Sequence, residues 1–357
     1  LNDEQLRALS ERLVYLRNLE EKKASVLATI EEQGKLTDEL KKQIEAVMTM
    51  VALEDLYRPY RPKRRTRATI AKEKGLELLA EILRAQATTR TIEEEATAFV
   101  DAEKGVESVQ DAIDGAKDIL AEVYADDADY RTKLRAMTKE SGSLVAKAKD
   151  EEADSVYEMY YDFSEPIKKL VGHRILAINR GEAEKFLTVK IEAPRQEILL
   201  WLVKQIIGNM KHDSASYLYE AITDSYDRLI APSIEREIRN ELTEKAEEGA
   251  IGVFGKNLHQ LLMQPPISGQ VVLGWDPGFA HGSKLAVVDE TGKVLDTVII
   301  YPTKGQKNYD AAKQVLKKLI TKYHVTLISL GNGTASRESE AMIVELMKEL
   351  NVDLKYV

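Results

Sequence analysis

Cysteine is absent from all 357 residues. Its absence excludes disulfides and thiolate metal sites. Histidine is scarce: His173, His212, His259, His281 and His324 are scattered, and no two stand at the helical spacing of a zinc pair. No run of about 18 apolar residues occurs, so no transmembrane helix is expected. The opening Leu1-Asn2-Asp3-Glu4-Gln5 lacks the basic and apolar segments of a signal peptide. It also lacks an initiator Met, so a processed or trimmed piece of a longer chain is expected. No Gly-x-Ser-x-Gly elbow is present to suggest a serine hydrolase. Internal repeats and low-complexity linkers are missing as well.

What is present is charge and apolar periodicity. Charged residues make up 31% and apolar residues 44%, the balance of a globular chain long enough for two or three domains. The formal net charge of -9 argues against a general polyanion binder. The average hides one strong local contrast. Arg58, Arg61, Lys63, Arg64, Arg65 and Arg67 fall within ten positions that contain no acid. Pro59 and Pro62 favour an extended path, and Tyr57 and Tyr60 offer rings for stacking on bases. Guanidiniums bind phosphate bidentately, and phosphate contacts dominate nucleic-acid affinity. A competing reading is an inter-helix loop whose arginines pair with acids of this same chain, which has 60 of them.

The first two-thirds reads helical. Leu6, Leu9, Leu13 and Leu16 form an amphipathic stripe, opened by a capping box at Asn2 and Gln5. Gly34 is a stop signal and Thr37 the next N-cap. Val47, Val51 and Leu56 continue an apolar face to Pro59. Helices are expected at 76–84, 92–101, 109–123, 150–161, 197–207 and 214–263, with Pro232 starting a new helix inside the last. Residues 144–148 suit a short extended piece, the chain should turn at Ser164-Glu165-Pro166, and 187–191 alternate as a strand does. Tyr157, Tyr160 and Tyr161 are read as core or interface. Gln264-Pro265-Pro266-Ile267-Ser268-Gly269 marks a boundary after which the sequence is rich in β-branched residues.

Beyond that boundary the order is β-β-β-α-β-α-β, the layout of an RNase H-type domain. Asp276 stands at the tip of the first strand, where such nucleases place a metal-binding carboxylate. Two-metal chemistry needs several anionic oxygens close together. At the tip of the fourth strand, Gly331-Asn332-Gly333 offers an amide where a second carboxylate belongs. Asp289 and Glu338 are the nearest spare acids, and neither sits at a strand tip. Three readings of Asp276 stay open: a turn residue, a vestigial nucleic-acid contact, or a working metal ligand. Asn332, Thr334, Ser336 and Arg337 open the following helix. They suit either phosphate contact at exposed amides or a tight turn with Thr334 or Ser336 as the cap. No Walker or Rossmann spacing is present there.

Several stretches resemble the Tex family of bacterial transcription accessory proteins. They are Leu53-Glu54-Asp55-Leu56-Tyr57 with Pro62-Lys63-Arg64-Arg65-Thr66-Arg67-Ala68-Thr69-Ile70-Ala71, Phe163-Ser164-Glu165-Pro166-Ile167, His173-Arg174 with Ala177-Ile178-Asn179-Arg180-Gly181-Glu182, Ile230-Ala231-Pro232-Ser233-Ile234-Glu235-Arg236-Glu237, and Gly331 through Glu338. The resemblance spans essentially the whole chain. It implies a multidomain protein: a mainly α-helical body over 1–264, a linker at 265–270, and an α/β RNase H-like domain of the YqgF or RuvC type over 271–357. This last domain is expected to be cut short at its C-terminus. The resemblance further implies helix-hairpin-helix modules and an RNA-binding S1 domain beyond this piece, and a helix-turn-helix portion before it. The family usually has an Arg after the Phe at 279, and Ala280 stands there instead. The expected role is a nucleic-acid-binding, non-catalytic scaffold in transcription, cytoplasmic and monomeric, with no cofactor and no metal. RNA or DNA is the expected partner, single-stranded RNA being met through the absent modules, and RNA polymerase or the ribosome are further partners. The alternative is a Mg²⁺-dependent nuclease or resolvase that uses Asp276.

Overall fold

A computed structural model describes residues 2–62, 64–265, 267–350 and 353–357. Lys63 and Pro266 therefore lie outside the described residues. The chain divides into two compact units, Leu1–Lys256 and Asn257–Val357.

The first unit opens with α1 (Asp3–Glu32), α2 (Asp38–Ala46) and α3 (Met50–Tyr57). The capping box holds: the Gln5 amide donates to Asn2 Oδ1 at 2.9 Å, and the Asn2 amide donates to Gln5 Oε1 at 3.2 Å. Gly34 turns the chain with φ +66, and Thr37 caps α2. Leu19, Val26, Ile30, Ile44 and Leu53 form a small core. The predicted stripe behaves differently at its two ends, for Leu6, Leu9 and Leu13 are exposed and burial begins at Leu19. Periodicity specifies a helix with an apolar face but says nothing about where along the helix its neighbours begin. Helical structure is also interrupted after Ala46, because Thr49 restarts it as the N-cap of α3.

The larger core of this unit gathers α4 (Arg67–Glu73), α5 (Glu77–Ala85), α6 (Ile92–Thr97) and α7 (Val109–Ala125). Buried Ala112, Ile113, Ala116, Ile119 and Leu120 make α7 its axis. Then come α8 (Ala128–Ser141), β1 (Ser143–Ala148), β2 (Asp162–Pro166), α9 (Gly172–Ala183), β3 (Leu187–Glu192), α10 (Arg195–Ile206), α11 (Ala215–Asp224) and α12 (Ala231–Leu262). The strands form an antiparallel sheet in the order β2-β1-β3.

Two expectations fail here. Residues 150–161 are not a helix, and Ser164-Glu165-Pro166 is strand rather than turn. Side chains in this stretch bond the local backbone instead: Asp150 accepts from the Glu152 amide at 3.0 Å, and the Tyr161 hydroxyl donates to the Ala153 carbonyl at 2.5 Å. Such bonds compete with helix formation. A 3-10 turn at Glu158–Tyr160 puts Tyr160 into the core beside Tyr157, and β2 then pairs with β1. Pro166 is tolerated because it ends an edge strand. Pro232 does fall in the first turn of a new helix, preceded by a π-helical segment at Ser225–Ile230.

The second unit follows the predicted order: β4 (Val272–Asp276), β5 (Ser283–Val288), β6 (Val294–Ile300), α13 (Gln306–Tyr323), β7 (Leu327–Leu330), α14 (Ser336–Glu349) and β8 (Lys355–Tyr356). The sheet runs β6-β5-β4-β7-β8, with antiparallel pairing on the β5 side of β4 and parallel pairing on the β7 side. This topology fits an RNase H-like fold. Leu273, Trp275, Leu285, Val287 and Ile328 pack against Leu316 and Ile320 of α13 and Ile343 and Leu346 of α14. Period-two alternation sends Gly274, Asp276, Lys284 and Ala286 to the other face.

Candidate nucleic-acid interface

The basic segment lies where α3 must stop. Pro59 and Pro62 cannot continue a helix, and Thr66 opens α4 by accepting from the Thr69 amide at 3.1 Å. The arginines between them differ in how they are bonded. Arg65 donates to Glu73 at 2.8 Å and Arg61 reaches Glu54 at 3.8 Å, both on the exposed surface. These two follow the reading in which the loop pairs with acids of its own chain. Arg58, Arg64 and Arg67 form no ion pair among the described residues. Arg58 is half-buried at the C-terminus of α3, and burial together with the nearby Arg131 charge holds its pKa below the ordinary value.

Near Arg58 a ring of charge joins three helices. Arg131 is fully buried; its Nε donates to Asp55 at 2.8 Å and its Nη2 to Glu237 at 2.8 Å. Arg135 answers in parallel, with Nη2 on the second Asp55 oxygen and Nε on the second Glu237 oxygen, each at 2.8 Å. Ser233 accepts a further bond from Arg131 at 2.9 Å. Four charges thus bind α3, α8 and α12 into one block. The sequence reading missed Arg131 and Arg135, which sit on a helix without any motif. Asp55 and Glu237 did lie in stretches noted for their resemblance, and an acid at position 55 between Leu53 and Leu56 was a usable signal of a buried partner.

A cavity of about 450 Å³ opens beside Arg58. Its lining takes Glu54, Arg61, Arg64 and Thr66 from α3 and the segment after it, and Glu122 and Asp126 from the end of α7. A second cavity of about 480 Å³ shares Arg61, Glu122 and Asp126 and continues toward Lys72.

In the second unit Asp276 is exposed at the tip of β4, opposite Lys284 in the β4–β5 register. Asp276 borders a cavity of about 800 Å³ on the open sheet face, with Lys284, Thr297, Ser329 and Gly331. The Gly331 amide donates to the Trp275 carbonyl at 2.8 Å, which draws the β7 tip against β4. Asn332, Thr334 and Arg337 are exposed. Neither Thr334 nor Ser336 caps α14; Ala335 holds the cap position at φ +64 without a side-chain bond. Asp289 is engaged in the hairpin turn, where it accepts from the Thr291 hydroxyl at 2.7 Å and from the Thr291 and Lys293 amides. Those bonds, the hydroxyl's first, hold its carboxyl below the usual range. Among the described residues, no three acids or histidines cluster closely enough to hold a metal ion. No described helix is long and apolar enough to cross a membrane.

Residues 87–254 match the Tex central region-like family model, and residues 270–357 match the Tex protein YqgF-like domain model. The chain is 45% identical over 360 residues to protein YdcI of Bacillus subtilis, covering 100% of this chain and 50% of that protein. It is 41% identical over 356 residues to the transcriptional accessory protein Tex of Neisseria gonorrhoeae, covering 98% and 46%. Against the human S1 RNA-binding domain-containing protein 1 the identity is 32% over 362 residues, covering 97% and 36%. The chain therefore spans about half the length, or less, of the curated relatives it matches. With both of its units matched by models of the same family, the chain belongs to the Tex family.

Proposed function

We propose that this chain is the nucleic-acid-handling scaffold of a transcription accessory protein, and that it binds single-stranded RNA without cleaving it. The observation that carries this reading is the basic segment after α3. In a chain of net charge -9, Arg58, Arg64 and Arg67 have no carboxylate bonded to them among the described residues. An unspent guanidinium on a rigid support is what a phosphate contact needs. The relatives' names point the same way, since one is a transcriptional accessory protein and another carries an S1 RNA-binding domain. The non-catalytic part of the reading is supported by the surroundings of Asp276. Lys284 is its cross-strand neighbour, and Asp289 is held in a turn. Two-metal cleavage would need more carboxylate than Asp276 brings.

The test is binding of a labelled single-stranded RNA across a series of salt concentrations. The logarithm of the affinity should fall linearly with log salt, and Arg64→Gln with Arg67→Gln should flatten that slope by about 0.7 for each lost phosphate contact. A slope unchanged by both substitutions sinks the interface. Metal-dependent cleavage that Asp276→Asn abolishes would favour the nuclease instead.

A further inference from the structure

Asn332 is followed by Gly333, and no other asparagine in the chain has a glycine after it. The pair lies in the bend between β7 and α14, outside any helix or strand. Its surroundings leave the Asn332 carboxamide open to the next backbone nitrogen. The Asn332 side chain is exposed, and no hydrogen bond holds it among the described residues. The Gly333 N–H donates no hydrogen bond among the described residues either, although the Gly333 carbonyl accepts one from the Ser336 amide at 3.3 Å. Nothing stands within 4 Å of a methyl group added at Gly333.

A backbone nitrogen attacks the side-chain carbonyl of the residue before it when three conditions are met. It must be able to shed its proton, it must not be screened by a side chain of its own, and the chain must be free to bring the two groups together. Most backbone N–H groups fail the first condition because they are hydrogen-bonded. Glycine meets the second and gives the freedom needed for the third.

We propose that Asn332 is a self-deamidation site, at which the amide beyond the tip of β7 becomes a carboxylate. The deprotonated Gly333 nitrogen bonds to Asn332 Cγ, the Cγ–Nδ2 bond breaks, and Nδ2 leaves as ammonia with a proton from water. Water then opens the five-membered imide. Attack at Cγ breaks the new Cγ–N bond and leaves aspartate. Attack at the main-chain carbonyl carbon breaks its bond to the Gly333 nitrogen and leaves iso-aspartate, with the chain continuing through Cγ. In either case one water enters, one ammonia departs, and one carboxylate stands where the amide was.

The new charge falls close to Asp276. The Gly331 amide donates to the Trp275 carbonyl at 2.8 Å, and a methyl group added at Gly331 would lie 3.9 Å from the Asp276 Cα. Asn332 is the next residue, so deamidation supplies an acid at the strand tip where Gly331-Asn332-Gly333 offers only an amide. The proposal does not rest on the RNA-binding reading.

Incubation of the 357-residue chain at pH 7 and pH 9, followed by ion exchange and peptide mapping by mass spectrometry, tests it. A species richer in negative charge should accumulate, with aspartate and iso-aspartate both located at position 332. It should form faster at pH 9, because the attacking nitrogen must first lose its proton. Asn209 is the internal control: it is equally exposed and outside any helix or strand, but its Oδ1 accepts from the Lys211 amide at 3.0 Å and Met210 follows it. Gly333→Ala should slow the conversion by at least about ten-fold, a barrier higher by about 1.4 kcal/mol, because a methyl group then screens the attacking nitrogen. That variant should melt with the parent, since the methyl group meets nothing. Should it melt lower, Asn332→Gln, which needs a ring one atom larger, must show the same suppression at position 332. No conversion at Asn332, a rate no greater than at Asn209, or a rate indifferent to Gly333→Ala would each overturn the site.

Discussion

At the scale of single residues, the charged ring near Arg58 ties α3, α8 and α12 together. Asp55 and Glu237 each bridge Arg131 and Arg135 with both carboxylate oxygens, so rotation of any one member breaks two bonds. Burial pushes the Glu237 carboxyl up, but the Arg135 hydrogen bond and the Arg135 and Arg131 charges outweigh it and hold the pKa below the ordinary 4.5. A depressed carboxyl contributes stability above its unfolded value and loses it as pH falls through its folded value. Glu237→Gln should therefore cost about 2 kcal/mol near pH 7, as expected for charged hydrogen bonds. That difference from the parent should shrink steadily below about pH 4.5. Urea unfolding of both proteins at pH 7, 5 and 3 measures it, and a difference independent of pH contradicts the ring's role. Much of this network was hidden in the sequence. Glu165 with Arg174, and Glu182 with Arg239, likewise turn residues of the Tex-like stretches into cross-braces whose partners lie too far along the chain for any spacing to show.

At the scale of elements, two helices place glycine in opposite circumstances. On α7, a methyl group added at Gly115 would run into the Leu76 side chain and crowd Ala71 at 3.3 Å. On α12, nothing stands within 4 Å of a methyl group added at Gly249, Gly252 or Gly255. Gly115→Ala should destabilise the first unit by about 1–3 kcal/mol through overpacking. Gly252→Ala should stabilise α12 by up to about 1 kcal/mol through helix propensity. Thermal melts followed by circular dichroism check both, and a shift of the same sign in the two variants would defeat the argument. The same contrast explains what was legible. Capping boxes, proline stops and β-branched runs depend on neighbours within four residues, so α1, β3 and every element of the second unit could be read from the sequence. The stretch at 150–161 could not, because its acidic run looks helical while its structure is set by tyrosines entering a distant core.

For the whole molecule, the relevant fact is that the two units have separate cores. The first unit's clusters and the second unit's cluster have no residue in common. Each unit also contains one of the chain's two tryptophans. Trp201 packs edge-on to Tyr130 at 5.8 Å in the first, and Trp275 is buried against the helices in the second. Domains with their own cores unfold as units. Leu316 is fully buried in the second core, so Leu316→Ala should cost that unit about 2–5 kcal/mol. In a Trp201→Phe background, fluorescence then reports a lowered denaturant midpoint. In a Trp275→Phe background the midpoint of the first unit should hold, and with it the ring, the basic segment and the Arg58 cavity, all of which lie before Lys256. RNA affinity of Leu316→Ala measured below its own transition should then equal that of the parent. Loss of affinity in step with the Trp275 signal would move the binding site to the sheet face beside Asp276, because that face is what the second unit loses when it unfolds.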